Sequence, residues 1–477
     1  MVSTTSLYKI LAACFIGSTL FSCKKMLELN PKQSIDSGIA LNTEQGVNAA
    51  TTGIYSRLQS SNQYGRNYYA IAEALADNVY HSGNSSQLAN ECSNAPGSHF
   101  TNWQSCYYAI NQSNLVLDAL KTLPANQLYK DGIAAQVYFL RALFYHDLAR
   151  TQAYDPTAIY APANKGGVPI VTNGVNDIDE ISFEARASIP DVYKRIYDDL
   201  DSSYACFNRN NAQTSIHKAT KSAVVALYTR VALYNGDYQK AVDKATESLT
   251  LSGSKFMSNA NYMSGWRAEV NPESIFEIKF NVSENLGSDN SLRGMFTTRA
   301  FLTDVTASIH GVIVAKQSFY DLMPAGDVRK GLYMFGLGAN SAKLECTKYI
   351  SKNKVANLDN IPVIRVSEVY LNRAEAAYKT GTPAGEAQAL DDLNTIRQRA
   401  GLTAVSLSGQ ALLDEILLQR RLELAFEGHR FFDLKRNGMD IIKETGDILF
   451  TDYRILPRIP IREVNANSKL EQNEGYK

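Results

Sequence analysis

Two helix-period segments joined by a tight turn constrain this chain more than any other feature of its sequence. Ala223, Leu227, Val231 and Tyr234 step by three and four and share one helical face. Asn235-Gly236-Asp237 then stops the helix and turns the chain, and Tyr238, Ala241, Ala245 and Leu249 open a second helix. Small residues at the crossing points let two short helices approach closely, which is the signature of a tetratricopeptide-like pair. The pattern recurs. Val366, Tyr370, Ala374 and Ala377 precede Thr380-Gly381, and Ala389, Leu393, Ile396 and Ala400 follow; Ala135, Tyr138, Ala142, Tyr145 and Ala149 mark a further face. Helices are also predicted over 42–58, 103–123, 189–207 and 410–427. Strand-like runs are few, with 168–171 and 275–280 the clearest. The expected fold class is therefore mainly α: tetratricopeptide-like helix pairs, a loop-rich subdomain and a few short strands.

The 477 residues carry 48 basic and 48 acidic side chains, with 45% hydrophobic content. This composition suits a sizeable core and leaves no basic footprint for nucleic acid. Residues 1–22 read as an export signal. Lys9 supplies the positive end, 10–21 is an apolar stretch too short to span a bilayer, and Leu20-Phe21-Ser22-Cys23 resembles a lipobox. Cleavage before Cys23 and acylation of that residue would leave a lipid anchor, palmitate among its chains. Residues 23–41 are then a tether, 42–251 and 361–477 the two parts of a helical scaffold, and 252–360 a loop-rich insert. Cys92, Cys106, Cys206 and Cys346 remain in an oxidising compartment, where four thiols allow three pairings. Cys92–Cys106 is the first guess for a bridge, and four free buried thiols are equally compatible with the sequence.

Several residue groups invite a chemical reading. Glu423, Glu427, His429 and Asp433 could serve acid–base catalysis. Carboxylates four apart on a helix repel unless cations intervene, and Arg420, Arg430 and Lys435 are placed to do so. A charge-compensated structural network is the reading adopted, and no enzyme activity is expected. Asp177, Asp179 and Glu180 form an acidic loop lacking calcium-loop spacing, so no cofactor is expected, with bound calcium a minor alternative. No two histidines lie four apart, and neither a phosphate-binding loop nor a GxSxG occurs. Trp103 opens an amphipathic helix and is assigned to the core. Loop aromatics beside amides differ: Tyr64, Arg66, Asn67 and Tyr68 form one set, and Asp77, Tyr80, His81 and Asn84 another. They combine flat faces for sugar rings with hydrogen-bonding groups for hydroxyls. Trp266 and Arg293 complete the ligand-binding candidates, the arginine suiting a carboxylate.

The order of motifs along the chain resembles the SusD/RagB family of nutrient-binding outer-membrane lipoproteins of Bacteroidetes. The motifs include Trp103-Gln104-Ser105-Cys106-Tyr107-Tyr108-Ala109-Ile110, Leu140-Arg141-Ala142 and Glu273-Ser274-Ile275-Phe276-Glu277-Ile278. The most specific lie later, in Arg373-Ala374-Glu375-Ala376, Leu393-Asn394-Thr395-Ile396-Arg397 and the run from Arg421 through Gly428-His429-Arg430 to Leu434. The resemblance implies four helix pairs supporting a loop-rich half. It also implies capture of an oligosaccharide, or sometimes a peptide, at the outer membrane facing the cell exterior, and a SusC-like TonB-dependent transporter as partner. A protein-interaction module of a surface complex is the alternative class.

Overall fold

The computed structural model describes residues 41–253, 255–352 and 354–476. The export signal, Cys23 and nearly all of the tether lie outside those residues.

Helix α1 (Glu44–Leu58) and α2 (Asn67–Leu75) lead into strand β1 (Val79–His81) and the single-turn α3 (Ala89–Cys92). The scaffold proper then runs α4 (Trp103–Thr122), α5 (Gln127–Gln152), α6 (Ile189–Arg209), α7 (Lys221–Asn235) and α8 (Tyr238–Ser252). It resumes with α9 (Val366–Lys379), α10 (Pro383–Arg399), α11 (Gly409–Glu423) and α12 (Arg430–Arg436). Each helix from α4 to α10 packs on the next, and α8 meets α9 across the intervening segment. Local chemistry sets the boundaries. The Asn126, Ser188 and Thr220 side chains cap α5, α6 and α7 by accepting a backbone N–H three residues on. Gly236 ends α7 at φ +79°, a conformation open to glycine without steric cost. The seam residues behave as their spacing requires: Ala223, Leu227, Val231, Tyr234, Ala241 and Ala245 are all fully buried. A small separate core of Ala374, Ala377, Ala389, Leu393, Leu412 and Ile416 closes the far end.

The segment between α8 and α9 holds five strands. β3 (Ile313–Ala315), β4 (Tyr333–Phe335) and β5 (Leu344–Cys346) join β1 in an antiparallel sheet ordered β1-β3-β5-β4, with Tyr80 opposite Val314. β2 (Ser274–Ile278) pairs with β6 (Ile361–Arg365), Ser274 opposite Arg365. That pairing ties the segment directly to the start of α9. Among the described residues no helix is long and apolar enough to cross a membrane.

Two expectations are corrected. Residues 168–171 join no ladder: Val168 O accepts from Ala187 N, and helix side chains satisfy Pro169 and Val171. Tyr145 donates to Val171 O at 2.8 Å and accepts from Val171 N, and Asn114 donates to the same carbonyl. Cys92, Cys106, Cys206 and Cys346 are all free, so the Cys92–Cys106 bridge is absent. Cys106 faces inward onto the Gln63 amide at 2.8 Å, while Cys92 sits on α3.

Candidate ligand-binding face

After His81 the chain turns through residues 82–88, and Gln87 becomes the junction of a polar surface. Its Oε1 accepts from Arg66 Nη1 at 2.9 Å, and its backbone oxygen lies 3.0 Å from His81 Nε2. Arg66 also donates to the carbonyl of Asp289, whose carboxylate meets the His310 ring. Asn84 Nδ2 donates to His310 O at 3.4 Å. Stretches more than two hundred residues apart thus converge, with Asn84 and Asp289 exposed and Arg66, His81 and His310 half-buried. The turn at 310–311 is pinned from beneath. His310 and Gly311 both have positive φ, and a Cβ on Gly311 would come 2.6 Å from Glu345 Oε1. Buried Glu345 in turn accepts from the Thr297 hydroxyl and from the backbone and hydroxyl of Thr298.

Beside this surface opens a cavity of about 230 Å³ lined by Tyr80, His81, Cys92, Lys316, Lys443 and Glu444 among others. Burial raises the Tyr80 phenol, helped by the nearby Glu444 carboxylate. Burial lowers Lys443 to about 8 and pushes the Cys92 thiol up to about 12. The Lys443 ammonium donates to Ala74 O at 2.7 Å and Cys92 O at 3.1 Å.

Of the residues singled out from sequence, Arg66, Tyr80, His81 and Asn84 come together here. The other six are buried against partners within the fold. Tyr64 donates to Asp147 at 2.9 Å, and Arg150 bridges Asp147 (3.0 Å) to the Tyr68 hydroxyl (2.6 Å). Tyr68 also stacks on Phe432, and Asn67 is the buried first residue of α2. Asp77 is held by Arg430 through two 2.7 Å bonds, with Arg421 at 3.3 Å. Trp266 is fully buried, with the Lys348 ammonium 4.7 Å and the Arg365 guanidinium 5.4 Å from its ring. Arg293 is buried on Asn357 and on the carbonyls of Thr297 and Ile309. Gln87, Asp289, His310, Lys316 and Lys443 are the residues that sequence reasoning missed. Asp289 lies in the same polar stretch as Arg293, which was the one available signal.

The carboxylate and histidine group is a buried charge network; Arg420 pairs with its Asp433, but the cations on Glu423 and Glu427 come from elsewhere. Glu423 pairs with Arg365 and Arg399, each at 2.7 Å, and Glu427 with Lys348 and Arg365. Arg420, Arg430 and Lys435 instead serve Asp433, Asp77 and Asp155. Helix α11 ends at Glu423, and Phe426 and Gly428 turn the chain at positive φ, so Glu427 never shares its helical face. Trp103 is in the core, as its helical setting predicts. Asp177 and Glu180 close a capping box around one 3₁₀ turn. Among the described residues no group of three or more metal-ligating side chains converges.

Comparison with known proteins agrees with this architecture. A family model described as the SusD family matches residues 339–454, and a second, described as starch-binding associating with the outer membrane, matches residues 25–233. A SusD-like protein of Formosa agariphila is 25% identical, the alignment covering 96% of this chain and 96% of that protein. The starch-binding protein SusD of Bacteroides thetaiotaomicron is 34% identical over 130 residues, 25% of this chain and 22% of that protein. The crystal structure of a SusD superfamily protein from Bacteroides thetaiotaomicron shares the fold with a TM-score of 0.79 and 26% identity, over 90% of this chain and 99% of that one. With two SusD models matched over most of its length and one fold shared along nine-tenths of it, the chain belongs to the SusD/RagB family.

Proposed function

We propose that this protein is a surface lipoprotein, tethered through Cys23, that captures an oligosaccharide and delivers it to a SusC-like TonB-dependent transporter without making or breaking a bond. The observation that carries this reading is the convergence of Arg66, His81, Asn84, Asp289 and His310 beside the half-buried ring of Tyr80. An aromatic face with amide, imidazole and carboxylate groups at its edge is what a pyranose needs, its C–H face stacking while its hydroxyls find donors and acceptors. The scaffold holds this surface on paired strands and a pinned turn, so little ordering is left for the ligand to impose.

Titration calorimetry of the purified full-length protein against oligosaccharide and peptide panels tests the reading. Saturable binding to a glycan is expected without cleavage products, with Tyr80→Ala and Asn84→Ala each weakening it about tenfold or more, the loss of one stacking or buried polar contact. Saturable binding to peptides alone would replace the ligand class. Silence in both panels would remove the capture role. A protein-interaction module is favoured by one separate feature, the exposed apolar side chains of Leu302, Val305, Ile309 and Phe335 around the strand β4 end. Under that reading a partner co-purifies from membranes while no small ligand titrates.

A further inference from the structure

The cavity next to Tyr80 carries a charge that neutral-sugar recognition does not call for. Four lysines are buried among the described residues: Lys316, Lys348, Lys435 and Lys443. Three have their ammonium groups committed. Lys348 meets Glu427 at 2.6 Å, Lys435 meets Asp155 at 2.9 Å, and Lys443 is held by the Ala74 and Cys92 carbonyls. Lys316 makes no hydrogen bond or ion pair through its ammonium, although it is only 8% exposed and lines the cavity. Its backbone is fixed by β3, which ends at Ala315 opposite Val79, and by the bond from Lys316 N to Asn78 O at 2.9 Å. The side chain is therefore aimed by the sheet and not by a counter-ion. Lys443 opposes it as a second cation in the same space.

The neighbouring acids do not offset this pair. Asp77 is engaged by Arg430 and Arg421, two cations on one carboxylate. Asp447 is exposed and accepts the backbone N–H of Lys443. Glu444 is the exposed acid that lines the cavity near the Tyr80 phenol, which leaves two cations against one carboxylate there. Lys316 presents an ammonium without a protein acceptor to this partly dehydrated cavity, and a ligand carboxylate or sulfate placed there would supply that partner.

We propose that this cavity selects glycans bearing an anionic substituent, a uronic carboxylate or a sulfate ester, with Lys316 as the direct contact and Lys443 adding to the field. The inference rests on the capture reading above and narrows its ligand class. Calorimetry of the full-length protein with matched pairs distinguishes the two. Uronate oligosaccharides are compared with their carboxyl-reduced forms, and sulfated galactan oligosaccharides with their desulfated forms. In at least one pair the anionic member is expected to bind at least tenfold more tightly, with an advantage that shrinks as salt rises. Lys316→Met is expected to remove that advantage, and Lys316→Arg to retain it. Unchanged thermal unfolding of both variants shows that the fold is preserved. Equal or tighter binding of every neutral member overturns the anion preference and leaves glycan capture standing, as does an advantage that survives Lys316→Met. Silence from every glycan overturns both. Preference for the sulfated over the uronate series, or the reverse, identifies which anion the cavity takes.

Discussion

Arg365→Met is expected to lower the unfolding free energy by about 3–5 kcal/mol, the usual cost of removing one member of a buried charge network. Arg365 stands where β6 becomes α9, and its guanidinium reaches Glu427 at 2.7 and 2.9 Å, Glu423 at 2.7 Å and Glu273 at 3.0 Å. Arg399 and Lys348 remain after the substitution, but neither can take over all three carboxylates. Burial alone would raise Glu423; Arg399 and Arg365 overcome it and hold that carboxyl well below the usual range. The variant thus loses charge-assisted bonds and leaves carboxylates buried against one another. Urea unfolding at neutral pH with an unchanged m-value is the measurement. A midpoint equal to that of the unmodified protein would mean that the network is energetically neutral. Arg365→Lys is expected to recover only part of the loss, since a point charge cannot span three acceptors.

Acid should unfold the protein early, over the range where histidines and not carboxylates titrate. Burial, reinforced by Lys435, lowers His99 to about 3. Burial also holds His146 and His429 well below the ordinary histidine value, with Arg150 and Arg230 adding to the first and Arg230 and Arg420 to the second. Both ring nitrogens of His146 are buried without a hydrogen-bond partner. The unfolded chain takes up protons near pH 6.5 and the folded chain refuses them. Stability is therefore full above that pH and lost as pH falls towards 3, about 4–5 kcal/mol of it from His99 alone. Glu375, Glu368 and Asp433, also held low, add to the loss below about pH 4.5. Glu73 acts oppositely. Burial raises it to about 7, so its contribution is present in acid and lost as pH rises, and Asp147, Asp155 and Asp392, which burial also raises, act in the same direction. His99 packs edge-on against Phe100 and Phe431, so His99→Phe suits the site in shape. This variant should show a shallower fall in urea midpoint between pH 6.5 and 4. An equally steep fall would locate the acid sensitivity elsewhere.

Much of the scaffold was legible because a helix reports its buried face through local spacing. The α1, α4 and α6 boundaries lie within two residues of the predicted ones, and the alanines of the α7–α8 and α9–α10 seams are buried where the period places them. The candidate ligand face was legible only in part. Tyr64 and Tyr80 sit in similar polar and aromatic surroundings in sequence. One turns inward because Asp147 and Arg150 on α5 wait for it, and the other stays half-buried because strand alternation places it on the face opposite buried Val79. Composition supplies the inventory of a sugar site, whereas burial is decided by whatever packs from a distance. The charge network shows the same division. That Glu423 and Glu427 needed cations followed from their charge, but Arg365 and Lys348 reach them from more than fifty residues away.

The grip of the C-terminal segment on α2 and β1 also fixes the order in which the molecule can close. Phe426 N bonds Glu73, Arg430 bonds Asp77, and Lys443 bonds Ala74, across sequence separations of 353 and 369 residues. Contacts of such span exact the loop-closure entropy of nearly the entire chain before they return any stability. The candidate ligand face leans on β1, so it can be locked only once residues through Lys443 are present. The early helices can pair before the segment from Phe426 to Lys443 joins them, but β1 is gripped only once that segment is in place, and cutting the chain ahead of Phe426 would undo its beginning.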